Sequence, residues 1–252
     1  PLCVAGFGLR CRCAACSSSV LRTLDAACPA WRYAVPFIRM MDILRLKGGF
    51  CMSATRSFFI GKVPIGGGTP VSVQSMTNTD SRDAAATLQQ IRELAQAGCD
   101  IVRLSVYDED CLKALPAIVD GSPVPLVADI HFRADLAVGA IERGVAKVRI
   151  NPGNIGGMEK VRRVADCARM HHVPIRIGVN SGSIEKDILR REGGVTARGM
   201  LDSALSHARL LEEAGFHDIV LSLKASSVPL TVAAYELAAK GAGYSLHVGV
   251  TE

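Results

Sequence analysis

The sequence lacks any apolar stretch long enough to cross a membrane, because none of its 252 residues fall in an uncharged apolar run of about 18. Aromatic residues are scarce, at 5% of the chain, whereas hydrophobic residues of all kinds make up 49%. A composition low in aromatics and rich in glycine, alanine and valine favours an α/β enzyme over an all-β domain. The length suffices for one sizeable core, and a single α/β barrel fits within it.

Acidic residues are scarce in only one part of the chain. Residues 1–51 hold seven Lys/Arg against two Asp/Glu, as organelle transit peptides do, while the rest holds 22 of each sign. The balanced body indicates no nucleic-acid surface. We expect residues 1–51 to be a disordered leader; a misplaced start, with Met52 as the true first residue, explains the pattern equally well. We expect a cytoplasmic protein, or a plastid one if the leader is a transit peptide.

Cysteines are rare outside the leader. Six of the nine lie in residues 1–51, and only Cys99, Cys111 and Cys167 lie in the body. The run CRCAAC at residues 11–16 has the composition of a metal or iron–sulfur site, but no His or Cys set at matching spacing follows it. We predict incidental cysteines in the leader, and buried thiols of a reducing compartment in the body.

The body alternates short β-branched runs with amphipathic segments, which predicts repeated βα units and a parallel sheet. Seven strands are expected, at residues 71–76, 101–106, 125–130, 147–150, 174–179, 218–224 and 245–250. In front of them, FFIGKVPIGGGTPVSV predicts a short hairpin that turns at residues 66–68. The segment 181–194 after the fifth strand is unusually long, and loops enlarged on that side of a barrel usually serve the active site.

We predict that residues 52–252 form a TIM-type (β/α)8 barrel truncated after its seventh strand. An open doubly wound sheet is the alternative, but the near-uniform βα period and the polar residues at the strand ends favour the barrel. A barrel with seven strands would leave the edges of its first and last strands unpaired.

Four predicted strands carry a cation near the carboxyl end, where barrel enzymes place their catalytic groups. These cations are Arg103, Arg149, Arg176 and Lys224. A charge in a strand covered on both faces is costly unless it is paired. The acids near this end, Asp129 and Glu252, are too few to neutralise all four, which predicts a phosphate or diphosphate ligand. The alternative is that the cations pair with acids at the base of the barrel.

Two turn-forming segments and one strand end add polar groups to this side. NPGNIGG at 151–157 and NSGS at 180–183 offer backbone N–H groups and the side chains of Asn154 and Asn180. QSMTNT at 74–79 adds Ser75. Each segment alone is a weak signal, since Gly and Asn also simply make turns.

ADIHF at 128–132 places Asp129 and His131 two residues apart at a strand end. The spacing is compatible with a metal pair, an acid–base pair or a satisfied buried contact. No second His/carboxylate set has metal spacing, so we prefer substrate hydrogen bonding and predict no metal site in this chain. Glu252, an acid among cations that would face an anionic ligand, indicates proton transfer.

Together, these motifs resemble the barrel domain of the bacterial 4-hydroxy-3-methylbut-2-enyl diphosphate synthase family. The likeness rests on VPIGGGTPVSVQSMTNTDS, DIVRLSV, PLVADIHF, VRINPGNIGG, PIRIGVNSGSIEKD, LSLKAS and LHVGVTE. It covers residues 57–252 nearly end to end and leaves residues 1–51 without a counterpart. The combination of ADIHF and RINPGNIG is highly specific.

The resemblance implies reductive ring opening and dehydration of 2-C-methyl-D-erythritol 2,4-cyclodiphosphate, a step of the non-mevalonate isoprenoid pathway. By motif, the anion clamp would be formed by Arg103, Arg149, Arg176, Asn180 and Lys224. Asp129 and His131 would contact the substrate, and Glu252 would face the reacting carbon as proton donor.

The resemblance further implies a [4Fe–4S] cluster on a C-terminal domain, ferredoxin or flavodoxin as electron donor, and a homodimer. That domain and the eighth strand have no counterpart here, so we expect this chain alone to bind substrate at best. Two alternatives remain open. One is a transferase barrel of the dihydropteroate synthase type, which has no redox cofactor, and the other is a catalytically inert fragment that binds phosphate.

Overall fold

The computed structural model of the protein describes residues 2–5 and 55–249. Within them, eight parallel strands form a closed barrel, and a two-stranded antiparallel hairpin forms a separate sheet. The strands are β1 (Leu2–Ala5), β2 (Phe58–Ile60), β3 (Val63–Ile65), β4 (Ser72–Met76), β5 (Ile101–Ser105), β6 (Leu126–Asp129), β7 (Lys147–Ile150), β8 (Ile175–Asn180), β9 (Ile219–Lys224) and β10 (Ser245–Val248). The helices are α1 (Ala84–Gln96), α2 (Glu109–Gly121), α3 (Ala134–Glu142), α4 (Pro152–Ile155), α5 (Met158–Met170), α6 (Lys186–Glu192), α7 (Ala197–Glu213) and α8 (Val228–Gly241). The predicted TIM-type fold is confirmed.

The barrel is closed by a strand that sequence patterning missed. We expected a sheet with two open edges, but β1 runs parallel between β10 and β4, with Cys3 opposite His247 on one side and Ser72 on the other. The expectation of open edges is wrong because this extended segment pairs with the free backbone groups of both edges. Within the expected leader, Leu2–Ala5 form this strand, and the rest of the leader, with CRCAAC, lies outside the described residues, so its expected disorder stays a prediction.

The hairpin exists as predicted, but its turn lies elsewhere. β2 and β3 pair antiparallel from Phe58 opposite Ile65 to Ile60 opposite Val63, so Gly61 and Lys62 make a two-residue turn. Gly61 has a φ of 56°, and two-residue hairpin turns require such a positive φ. The three glycines at 66–68 also have positive φ, but they form the connection to β4.

Four of the described helices begin where the sequence supplies a side-chain acceptor for a free backbone N–H. The caps are Asp83 for α1, Asp108 for α2, Thr196 for α7 and Ser227 for α8. Each cap of this kind stabilises its helix by about 0.5–2 kcal/mol. The apolar faces of these helices pack on the outward residues of the strands and form the main core.

The inward residues of the barrel change in character from base to mouth. At the base, Phe58, Ile60 and Ile65 of the hairpin pack against inward residues of β5, β6 and β9, namely Ile101, Val127 and Val220. Above this apolar floor lie buried polar side chains, among them Gln74, Lys147, Ser222 and His247. Lys147 Nζ donates to Gln74 Oε1 at 3.0 Å, which joins β7 to β4. Charged groups occupy the mouth.

The long segment after β8 is not a plain loop. Residues Ser181–Ser183 form a turn of 3₁₀ helix, and α6 follows at Lys186–Glu192. Gly193 ends α6 in the left-handed conformation, with a φ of 70°. The extra residues thus build a short helix beside the mouth, and Ile188 buries its apolar side.

Candidate functional site

Four cations from four strands converge at the mouth of the barrel. They are Arg103 on β5, Arg149 on β7, Arg176 on β8 and Lys224 on β9. In the sheet register, Asp129 lies beside Arg149 and Arg149 beside Arg176, so their side chains share the inner face. Arg149 and Arg176 are 7% and 2% exposed. The described ion pairs of Arg103 and Arg149 are with Asp129 at the mouth, which does not favour the alternative that the cations pair with acids at the base.

Asp129 is the carboxylate that holds this cluster together. Its Oδ1 accepts from Arg149 Nη1 at 3.1 Å, and its Oδ2 lies 3.7 Å from both Arg103 Nε and His131 Nε2. Burial disfavours the charged carboxylate, but the His131 contact and the charges of Arg103 and Arg149 outweigh it. The pKa of Asp129 therefore lies well below its usual range. Asp129 is thus placed to orient the guanidinium groups of Arg103 and Arg149.

Arg176 is the most buried of the four cations. Its Nη2 donates to Ser222 Oγ at 3.1 Å, but Nε and Nη1 have no partner among the described residues. Burial first, and then the charges of Arg103 and Arg149, lower the pKa of Arg176. Arg149 Nε is likewise buried without a described partner. A buried guanidinium N–H without an acceptor costs folding free energy. These N–H groups therefore indicate a ligand that accepts hydrogen bonds from them.

Gly178 of β8 makes room for Arg149. A Cβ built at Gly178 would lie 2.6 Å from Arg149 Nε and 3.0 Å from Nη2, and Arg149 Nη2 also approaches the Gly178 carbonyl at 3.5 Å. Any side chain at this position would displace the guanidinium. Sequence reasoning missed Gly178, although a glycine inside a strand often marks a close approach.

The first βα strand contributes Met76 to the mouth and not Ser75. Met76 Sδ lies 3.1 Å from Arg103 Nε and 2.8 Å from Nη2, as a weak acceptor. Successive residues of a strand face opposite sides, and Gln74 and Met76 both face inward. Ser75 is buried, but alternation places it on the outer face of β4. Alternation thus disfavours Ser75 as a binding residue, and its role stays a prediction.

The remaining predicted residues lie at different depths. Asn180 ends β8 beside Lys224, and its backbone N–H donates to Ser183 Oγ at 3.1 Å, which shapes the turn after β8. His131 is half exposed at the rim, where Arg149 Nη1 donates to its Nδ1 at 3.1 Å. Asn154 is exposed on α4. Glu252 lies outside the described residues, so its role stays a prediction.

Glu185 and His207 form a part-buried contact that sequence patterning also missed. His207 Nε2 on α7 lies 2.7 Å from Glu185 Oε1, at the N-terminus of α6. The pair ties the segment after β8 to the helix layer. No local pattern identifies it, because its partners are 22 residues apart and meet only in the folded chain.

The arginine cluster strongly affects the pKa of Lys224. Burial first, and then the charges of Arg176, Arg103 and Arg149, lower the pKa of Lys224 to about 7. Asp129 opposes this shift but does not reverse it. The ligand-free mouth therefore holds a lysine that titrates near neutral pH.

We expect this lysine to make the stability of the ligand-free chain depend on pH. The unfolded chain keeps Lys224 protonated up to about pH 10.4, whereas the folded chain releases the proton from about pH 7. Because the unfolded state binds more protons in this window, the free energy of unfolding rises with pH, by at most about 1.4 kcal/mol per unit. Below pH 7 both states are protonated, and the contribution is constant.

Urea denaturation of the chain and of Lys224→Met from pH 6 to 10 measures this effect. The difference in unfolding free energy, variant minus parent, should be largest at pH 6 and shrink above pH 7. A difference that is constant from pH 6 to 10 would show that Lys224 has an ordinary pKa.

The described cysteines do not fit an iron–sulfur cluster. Cys111 and Cys167 are buried, as predicted, and Cys99 is half-buried, and all three are free thiols. Burial raises the pKa of each thiol. Over residues 2–5 and 55–249, no group of three His, Cys, Asp or Glu side chains is placed to hold a metal ion. No helix of the described chain is long and apolar enough to span a bilayer.

Comparison with known proteins gives a consistent family. Residues 55–252 match the model of the GcpE TIM-barrel domain. The chain is 55% identical over 198 residues to a 4-hydroxy-3-methylbut-2-en-1-yl diphosphate synthase (flavodoxin) of Ruminiclostridium cellulolyticum, which covers 79% of this chain and 56% of that protein. The enzyme of the same name from Maridesulfovibrio salexigens is 56% identical, with 79% and 55% covered. The chain thus spans just over half the length of the curated relatives it matches.

Solved structures show the same fold at low identity. A spore coat polysaccharide biosynthesis protein of Bacillus subtilis superposes with a TM-score of 0.55 at 14% identity, covering 77% of this chain and 56% of that one. A 7,8-dihydropteroate synthase of Vibrio fischeri gives 0.53 at 14% identity, with 76% of each chain covered. At such identities the likeness concerns the barrel alone.

Proposed function

Because the chain belongs to the family of the GcpE TIM-barrel domain, we propose that it is the substrate-binding barrel of a 4-hydroxy-3-methylbut-2-en-1-yl diphosphate synthase. The whole enzyme would reductively open the ring of 2-C-methyl-D-erythritol 2,4-cyclodiphosphate and release water. The observation that carries the proposal is the excess of cations at the mouth, which faces one described carboxylate.

The charge balance of the mouth fits a cyclic diphosphate. Each phosphorus of such a ring bears one ionised oxygen, which gives a ligand of charge −2 without a titration near neutral pH. Arg103 and Arg149 share Asp129, whereas Arg176 and Lys224 lack a described carboxylate within ion-pair distance. Two negative charges placed against Arg176 and Lys224 would therefore balance the cluster. They would also stabilise the protonated form of Lys224.

The residues would divide the work by geometry. Arg149 and Arg176 would donate to phosphate oxygens through their free N–H groups, and Asp129 would hold Arg149 in place. His131, half exposed beside Arg149, would contact the substrate from the rim, and Asn154 and Asn180 would close the site from the loops. Glu252 remains our candidate for the proton donor.

The electrons would come from outside the described residues. The relatives' names specify flavodoxin as the donor, and we extend this to the present protein, with ferredoxin as the alternative. The [4Fe–4S] cluster would be held outside residues 55–249, because the described cysteines do not fit one. A homodimer in which a partner covers the mouth and a bacterial cytoplasmic location complete the proposal. The rim carries Phe132 at 68% exposure, an apolar surface that such a partner could bury.

The alternative functions are less well supported. A transferase of the dihydropteroate synthase type shares the barrel, but identities of 13–14% with those enzymes support only the fold. An inert phosphate-binding fragment would explain the cations but not the 55% identity over the whole barrel.

Arg149→Lys tests the proposed diphosphate site. Lysine keeps the charge but loses the planar fork and the bond to Asp129, so the binding free energy should weaken by about 1.5–3 kcal/mol, roughly a 10- to 150-fold rise in Kd. Calorimetric titration of the 252-residue chain with the cyclodiphosphate measures this.

The matched control is Arg169→Lys, an exposed arginine of α5 that pairs with Asp166. It should leave the affinity unchanged. Tight binding that is equal in the parent and in Arg149→Lys would make Arg149 a structural arginine. Absence of binding to a folded parent chain would contradict the proposed function itself.

A further inference from the structure

A gap opens between two strands of the barrel wall at the mouth, directly beside Lys224. β8 and β9 pair over six positions, up to Asn180 opposite Lys224. On the other side of β9, pairing with β10 covers only Val220 and Leu221, opposite Ser245 and Leu246. The end of β9 that carries Lys224 is therefore held by a strand on one side only.

The hydroxyl of Tyr235 occupies this gap. Tyr235 lies on α8 and is buried, and its Oη accepts from the Leu223 backbone N–H at 3.0 Å. The same hydroxyl donates to the backbone carbonyl of His247 on β10. The hydroxyl thus takes the place of a direct backbone hydrogen bond between β9 and β10, and it holds the two strands apart at a fixed distance.

This hydroxyl keeps the proton that it donates, because burial disfavours the phenolate. Burial raises the pKa of Tyr235, although contacts from the backbone of Leu223 and Gly249 and from Ser222 oppose the shift. Ser222 in turn accepts from Arg176 Nη2. The phenol therefore contacts the residue that precedes Lys224 on β9, and Ser222 lies between it and Arg176.

We propose that Tyr235 is a positioning residue of the anion site, which holds the end of β9 so that the Lys224 ammonium faces the arginine cluster. The role in anion binding rests on the proposed function, whereas the hydrogen bonds of Tyr235 to β9 and β10 do not depend on it. Without the bridge, β9 beyond Leu221 is held by β8 alone, and we expect Lys224 to gain solvent and distance from the arginines. Charged groups that act on Lys224 come from the adjacent strand β8, with Arg176, and from across the barrel, with Arg103, Asp129 and Arg149; His247 faces it from β10, and burial lowers the pKa of that imidazole.

Tyr235→Phe is the direct test, because it removes one oxygen and keeps the buried ring. The readout is the titration of the Lys224 Cε–Nζ group by NMR in the ligand-free chain, assigned with Lys224→Met. We expect the midpoint, about 7 in the parent, to rise by about one pH unit toward the ordinary value of lysine. The Kd for the cyclodiphosphate should rise about tenfold, as expected for a misplaced charged donor.

Tyr244→Phe is the matched control. Tyr244 Oη donates to Glu212 at 2.6 Å, at the opposite end of β10. Its loss should lower the melting temperature without moving the Lys224 midpoint or the Kd. If Tyr235→Phe behaves in the same way, the role of Tyr235 is structural and the proposal is overturned.

Hydrogen exchange of the parent chain keeps the proposal testable if Tyr235→Phe does not fold. The Leu223 amide should be as protected as the paired amides of β9, because the phenol accepts from it; exchange at the rate of an open strand would refute the bridge. The Lys224 titration needs no ligand, so its result stands even if the cyclodiphosphate fails to bind. If the Lys224 midpoint rises in Tyr235→Phe as expected but the parent chain does not bind the cyclodiphosphate, only the proposed function is contradicted.

Discussion

Arg176→Met should raise the stability of the ligand-free chain while it abolishes anion binding. Arg176 is a buried cation with two N–H groups that have no described partner, next to two further arginines. Replacing buried charges by apolar groups of similar volume often stabilises a protein by about 1–4 kcal/mol. We expect a gain in this range, because methionine fills the space without the desolvated charge.

The same substitution removes the donors on which we expect the ligand to depend. Two lost charge-assisted hydrogen bonds correspond to about 3–6 kcal/mol, roughly a 10²- to 10⁴-fold rise in Kd for the cyclodiphosphate. Urea denaturation and calorimetric titration measure the two effects. Arg162→Met, an exposed arginine on α5, should change neither. A loss of stability in Arg176→Met would mean that the arginine is a structural element of the barrel.

Asp129→Asn should have the opposite effect on stability. The substitution removes the described carboxylate that Arg103 and Arg149 share and leaves both guanidinium groups buried without it. Breaking a buried pair in this way costs about 3–5 kcal/mol. Denaturation at pH 7 measures the cost, and Asp166→Asn, at an exposed pair with Arg169, should stay within about 0.5 kcal/mol of the parent.

The pH dependence gives this prediction a sign. The folded-state pKa of Asp129 is depressed, so its contribution is fully present above the unfolded value of about 4 and is lost as pH falls below it. The stability gap between parent and Asp129→Asn should be constant above about pH 5 and shrink in acid. If Asp129 were mainly an acid–base catalyst, its substitution would leave the stability of the ligand-free chain nearly unchanged.

The cations of the mouth were readable in the sequence because each interrupts an apolar strand. KVRI and PIRIGV carry Arg149 and Arg176 at positions where a doubly covered strand excludes unpaired charge. The period of two then fixes which face each residue takes. The same rule separates Ser75 from Met76, since a one-residue difference exchanges the inner and outer faces.

Other features depend on contacts that no local pattern encodes. The LCVA segment of β1 is four apolar residues long, and only the two strands beside it identify its role. Tyr235 has the pattern of an ordinary buried helix residue, because its hydroxyl acquires its partners from β9 and β10. The turn at Gly61 was missed because three consecutive glycines nearby give the stronger turn signal.

The hairpin places apolar side chains below the polar residues of the barrel interior. Phe58, Ile60 and Ile65 pack there against inward strand residues, and the charged mouth lies at the opposite end. A diphosphate bound across the arginines would cover the mouth of the barrel. The bound ligand would then separate the buried side chains of His247 and Lys147 from the water at the mouth.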